Sequence, residues 1–94
     1  MRRVYSQEAV ADLQRLRDFI AEYDPAAAAR IAADLVGRIE NLCLFPRMGV
    51  EVERAPHPVE VRDMVFGDYI VRYSVHTQAL AILRVWHHLE QRNA

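Results

Sequence analysis

Two adjacent histidines, His87 and His88, stand between Arg84 and Arg92 in the stretch ILRVWHHLEQR near the end of the chain. Histidine changes charge near neutral pH and commonly ligates metals, so the pair raises both metal binding and acid–base catalysis. Strand geometry argues against the metal. Neighbouring residues of a strand point to opposite faces, so a strand running through both histidines would keep the rings from sharing an ion. No His-x-x-x-His pair supplies a helical alternative, and Cys43, the single cysteine, allows neither a Cys-based zinc site nor an internal disulfide. Cys43 lies among Leu42, Leu44 and Phe45 and reads as a small core residue. No metal and no cofactor are expected.

Catalysis narrows in the same way. The chain has no nucleophile elbow, no phosphate-binding glycine loop and no paired carboxylates at a helical spacing near a cleft-forming glycine. One chemistry survives, the metal-free cleavage of RNA through its 2′-OH. That reaction needs a base, an acid and cations around a pentavalent phosphate, roles open to His, Tyr and Arg. Arg62, Arg72, Arg84, Tyr69, Tyr73 and both histidines share one part of the chain. A plainer reading competes residue by residue: the tyrosines and Trp86 as packing aromatics, Arg72 as a solvated charge on a sheet face. Arg62 and Arg84 stand apart, because an arginine inside an apolar strand needs a partner or a purpose.

The chain that must position these groups has 94 residues, enough for one domain over 1–94, and 52% of them are apolar. Its 12 basic residues, all arginine, face 13 acidic ones, and no basic run stands out. Non-specific coating of nucleic acid, which rests on many phosphate contacts, is therefore disfavoured, and no direct sequence-specific nucleic-acid binding is expected. No signal-peptide h-region or membrane-length apolar run occurs, so a soluble cytoplasmic domain is expected.

The residue pattern orders the elements. RRVYS gives a short first strand, and Ser6 can cap a helix over about Gln7–Tyr23 whose stripe is Ala9, Leu13, Leu16, Ile20 and Tyr23. Asp24 and Pro25 stop that helix and start the next, where Ala28, Ile31, Leu35, Ile39 and Leu42 recur. So short a joint makes a helix hairpin. Pro46 ends the second helix; Pro56 and Pro58 exclude a central strand around His57, an exposed loop residue. From Val59 the period becomes two: VEVRDMVF, a turn at Gly67-Asp68, YIVRYSV, a second turn, and ALAILRVWH. The last strand is apolar on both sides except at Arg84 and should lie inside the sheet. The fold class is α+β, ordered β-α-α-β-β-β, with a helix hairpin packed on a small antiparallel sheet. Val10, Phe19, Ala32 and Val36 flank the helix stripes and widen them, which suits either a thicker core or a partner chain.

Four segments carry a family resemblance. SQEAVADLQRLRDFI is similar to an S-x-x-A-x-x-D-L opening helix, and DPAAAARIAADLVGRIENLCLFPRMG to a second helix ending L-x-x-F-P-x-x-G. VRDMVFGDYIVRYSV resembles R-x-x-x-x-G-x-Y-x-I/V-x-Y, and AILRVWHHLEQR resembles a closing I-x-R-V-x-H strand. Together they resemble the ParE branch of the RelE/ParE toxins, the toxic halves of type II toxin–antitoxin pairs. The resemblance implies an α+β fold and a cognate antitoxin, of ribbon–helix–helix type, docked along the helix hairpin and sheet; Val10, Phe19, Ala32 and Val36, beside the helix stripes, are the candidate contact residues. It implies DNA gyrase as target for the ParE branch and ribosome-bound mRNA for RelE-like relatives.

One position discriminates. Nuclease branches place an arginine directly after the tyrosine of the third segment, and here Ile70 follows Tyr69. Losing a phosphate-stabilising cation costs ~2.7–4 kcal/mol unless another replaces it. Arg72, on Ile70's face, is the candidate replacement. The favoured reading is a gyrase-directed toxin that is not an enzyme, with Arg84, His87, His88 and Arg92 at the target contact. The alternatives are an mRNA interferase using Arg62, Arg84 and His87, and a non-toxic antitoxin-binding co-repressor.

Overall fold

The computed structural model describes residues 1–53 and 60–90; His57 and Arg92 lie outside them. The elements run β1 (Arg2–Tyr5), α1 (Gln7–Tyr23), α2 (Pro25–Leu44), β2 (Val50–Glu51), β3 (Glu60–Phe66), β4 (Tyr69–Val75) and β5 (Ala79–His87). Both helix starts follow local chemistry. Ser6 accepts the Ala9 N–H and Asp24 accepts the Ala27 N–H, each satisfying a donor that the first helical turn leaves unpaired. Pro25 then occupies the first turn of α2, where no backbone N–H is required.

The sheet order is β1-β5-β4-β3-β2. The β3–β4–β5 meander is antiparallel, as the alternation predicts. Gly67, at φ 59°, opens the two-residue turn between β3 and β4, a conformation that glycine adopts without steric cost. Two features depart from the expected sheet. β1 pairs with β5 in parallel, and the two-residue β2 adds an antiparallel edge to β3. No membrane-spanning helix occurs among the described residues.

A bulge in β5 sets which side chains meet the helices. Tyr73 pairs with Ile82 and Arg72 with Arg84, which leaves Leu83 as the extra residue. Ile82 and Val85 are three apart and would otherwise point to opposite faces. With the bulge between them, both are fully buried in one core with Leu80, Val71, Tyr73, Leu16, Leu35, Ile39 and Leu42. Tyr69 and Cys43 pack against this core half-buried. Tyr23 does not join it: it keeps the angular position of the α1 stripe but, as the last residue of the helix, is 78% exposed.

Candidate functional site

The outer edge of β5 organises most of the residues singled out by their chemistry. β1 accompanies β5 only from Ala79 to Ile82. From Ile82 on, the backbone groups of that edge need other partners, and the first half of α1, its cap and Glu90 supply them. The Ser6 N–H donates to the Ile82 carbonyl at 2.9 Å and the Ser6 hydroxyl to the Leu83 carbonyl at 2.8 Å. The Asp12 carboxylate accepts the Val85 N–H at 2.9 Å, and the Glu90 carboxylate accepts the His87 N–H at 2.8 Å. Side chains thus continue the pairing that β1 leaves off.

Asp12 is also the partner that Arg84 requires. The Arg84 Nε and Nη2 donate to the two Asp12 oxygens at 2.8 and 3.1 Å, and Arg15 Nη1 donates at 2.6 Å. Asp12 is 2% exposed, whereas the Arg84 and Arg15 side chains remain 43% and 45% exposed. Burial pushes the Asp12 carboxyl pKa up, but the bonds from Arg84, Arg15 and Val85 outweigh it and hold the group below its ordinary value. Asp12 stands on the α1 stripe, three residues after Ala9 and four before Leu16. A carboxylate on an apolar stripe and an arginine in an apolar strand are complementary anomalies, and that was the available signal for the pair. The aspartate of the S-x-x-A-x-x-D-L segment and the arginine of the I-x-R-V-x-H segment therefore lock two distant motifs together.

Arg62 and Arg72 are engaged in the same manner. Arg62 donates to Glu60 at 2.6 and 3.1 Å and to the Gly49 carbonyl at 2.7 Å, with its side chain 12% exposed. Arg72 forks onto Asp63 at 2.8 and 2.9 Å and lies 5.4 Å over the Trp86 ring. It is therefore not the solvated charge expected of it: an acid across the strand pair and an aromatic face beside it hold the guanidinium. Arg62 and Asp63 are successive in β3, so Arg62 projects to the face opposite the Asp63–Arg72 pair. Arg62 thus stands apart from Arg72, whereas Arg72 and Arg84 are neighbours across β4 and β5; each of the three is paired with a carboxylate.

His87 and His88 do come together. β5 ends at His87, so His88 escapes strand alternation, and the two rings stack with centroids 4.8 Å apart and planes at 28°. His87 meets Tyr69 edge to face at 5.2 Å, and its Nδ1 accepts the Leu89 N–H at 3.2 Å. The expectation that the rings diverge rested on a strand running through both, and the strand stops one residue short.

The flanking helix residues divide into two groups. Phe19, 60% exposed, pairs edge to face with Tyr23 at 5.6 Å. Val10 is exposed as well but stands nine residues earlier, about half a turn round α1, on the opposite flank of the core stripe. On α2, Ala32 is half-buried and Val36 exposed, one helical turn apart. Gly49, in the turn after α2, has a distinct role. Its N–H donates to the Tyr73 hydroxyl at 2.9 Å, and that hydroxyl donates to the Pro46 carbonyl at 2.8 Å. The buried Tyr73 thereby pins the F-P-x-x-G turn to the sheet.

With this architecture established, known proteins identify its class. A solved structure described as a chromosomal ParDE TA system from P. aeruginosa shares the fold with a TM-score of 0.73. It is 19% identical and covers 93% of this chain and 95% of its own. Among curated relatives, Toxin RelE1 of Caulobacter vibrioides is 33% identical over 89 residues, covering 93% of this chain and 92% of its own. Toxin RelE2 of the same organism is 31% identical over 84 residues, covering 89% and 91%. The fold and these relatives define a toxin of the RelE/ParE superfamily. Residues 4–92 match the ParE toxin of type II toxin–antitoxin systems, parDE, and the chain belongs to that family.

Proposed function

We propose that this toxin acts by gripping DNA gyrase and is silenced by a cognate antitoxin of ribbon–helix–helix type. The observation that carries the reading is the pairing of the sheet arginines: Arg62 with Glu60, Arg72 with Asp63 and Arg84 with Asp12. An RNA-cleaving site needs cations directed at a phosphate, and these cations are directed at carboxylates. Ile70 occupies the position after Tyr69 where nuclease branches carry arginine. The candidate replacement, Arg72, is bound at both Nε and Nη2. The target contact is assigned to the end of β5, with Arg84, His87 and His88, continuing to Arg92. The antitoxin is assigned to the helix hairpin through Val10, Phe19, Ala32 and Val36, as a segment that passes round α1 to reach both of its flanks. This reading puts the toxin in the cytoplasm and requires no cofactor and no direct sequence-specific contact with nucleic acid. Supercoiling assays with purified gyrase test it, with inhibition and trapped cleaved DNA as the expected result.

One observation favours a second reading: both curated relatives carry the name RelE. An mRNA interferase using Arg62, Arg84 and His87 predicts codon-positioned cuts by primer extension in induced cells. The gyrase reading predicts a DNA-damage response without such cuts. Induction that leaves growth unaffected would contradict both and leave the antitoxin-binding co-repressor.

A further inference from the structure

The stacked histidines share their surroundings with a carboxylate. The Tyr69–His87 pairing brings Asp68, at the tip of the β3–β4 turn, opposite His88. The His88 N–H donates to the Asp68 carbonyl at 2.8 Å, and His88 Nδ1 lies 3.8 Å from Asp68 Oδ1. One candidate ligand atom from each of Asp68, His87 and His88 lies within 4.8 Å of the others.

We infer that Asp68, His87 and His88 form a surface site for one borderline divalent ion of the zinc type. Two imidazoles and a carboxylate are the donor set such an ion takes, with solvent completing the coordination. Zinc–ligand bonds of ~2.0–2.2 Å in a tetrahedron put donor atoms roughly 3.3 Å apart, so no pair of the three groups must close by more than about 1.5 Å. Stacked rings aim their lone pairs side by side rather than at one point, and His88 must turn. Its side chain is 49% exposed and that of Asp68 is 70% exposed, so both can rotate without disturbing the core. His87 is the more constrained member, the last residue of β5 and edge to face with Tyr69. Ligation through Nε2 moves the neutral ring's proton to Nδ1 and gives up the 3.2 Å contact from the Leu89 N–H. An open site built this way binds more weakly than a closed structural site. Bound metal joins the end of β5 to the tip of the β3–β4 turn, with no dependence on which target the toxin engages.

Calorimetric titration of the untagged full-length chain with Zn²⁺, and visible absorption with Co²⁺, tests the site. One-to-one binding is expected, with Co²⁺ bands of a low-coordinate nitrogen–oxygen site. His88→Ala and Asp68→Asn should each lower affinity by at least ~10-fold, since even outer-shell partners of metal ligands are worth ~10–100-fold. Unchanged circular dichroism shows that those variants remain folded. His76→Ala, at the far end of β4, should bind as the parent chain does. Absence of one-to-one binding up to millimolar Zn²⁺ overturns the proposal. So does binding that survives both His88→Ala and Asp68→Asn.

Discussion

Replacing Asp12 with alanine should destabilise the chain far more than removing its most extensive partner, Arg84. The carboxylate accepts two bonds from Arg84, one from Arg15 and one from the Val85 N–H. Hydrogen bonds to charged groups contribute ~1.5–3 kcal/mol each, but screening at the two half-exposed guanidinium groups reduces the share of each arginine to about 1 kcal/mol. The Val85 amide, left without an acceptor at the edge of β5, adds ~1–3 kcal/mol. Asp12→Ala should therefore cost about 3–5 kcal/mol, a large part of a small domain's stability. Arg84→Ala leaves Asp12 with Arg15 and Val85, and should cost about 1 kcal/mol. Urea unfolding at neutral pH measures both, with a lowered midpoint and unchanged slope expected for each. Equal costs for the two variants, or an Asp12→Ala midpoint within error of the parent, would refute the edge-closing role of the carboxylate.

Acid should act through the same residue. Bonds from Arg84, Arg15 and Val85 hold the Asp12 pKa below its ordinary value despite burial. Its stabilising contribution is thus complete above the ordinary carboxylate pKa of ~3.9 and is lost as pH falls through the lower folded value. Urea midpoints followed into acid should fall in that window, and Asp12→Asn should flatten part of the fall. Gly49→Ala places a Cβ 2.7 Å from the Tyr73 hydroxyl and 2.9 Å from the Asp63 carbonyl, and should cost ~1–3 kcal/mol by the same unfolding assay. Tyr73→Phe removes the partner of both Gly49 N–H and the Pro46 carbonyl and should cost about 1–3 kcal/mol. Combining it with Gly49→Ala should give less than the sum, because one of the clashing atoms is gone. Phe19→Ser with Tyr23→Ser, on an exposed aromatic pair, should leave stability within about 0.5 kcal/mol. The same double variant should weaken antitoxin binding by about tenfold or more, as calorimetry against the purified antitoxin would measure.

Local signals carried most of the fold. Ser6, Asp24 and Pro25 mark the helix starts because caps act within three residues, and the change to a period of two marks β3, β4 and β5 because alternation is local too, Val59 itself lying outside the described residues. The parallel pairing of β1 with β5 was not legible, since it joins residues more than seventy positions apart and four residues carry little register information. The bulge at Leu83 is likewise a property of the pair of strands. Among the site residues, the sequence singled out Arg62 and Arg84 as needing partners but did not supply them. Asp12 was hidden on an otherwise apolar stripe, and its role exists only once α1 closes the edge of β5. The two histidines were separated by an alternation argument that holds inside a strand and fails at its end.

The claim that this ParE-family toxin grips gyrase is tested most directly by titrating the purified chain into a gyrase supercoiling reaction. Cleaved DNA is trapped with detergent, and ribosome-bound mRNA is assayed in parallel. A gyrase-directed toxin gives loss of supercoiling with accumulating cleaved plasmid, both reversed by the antitoxin, and leaves mRNA intact. Full supercoiling activity at saturating toxin, together with codon-positioned mRNA cuts, would contradict that claim.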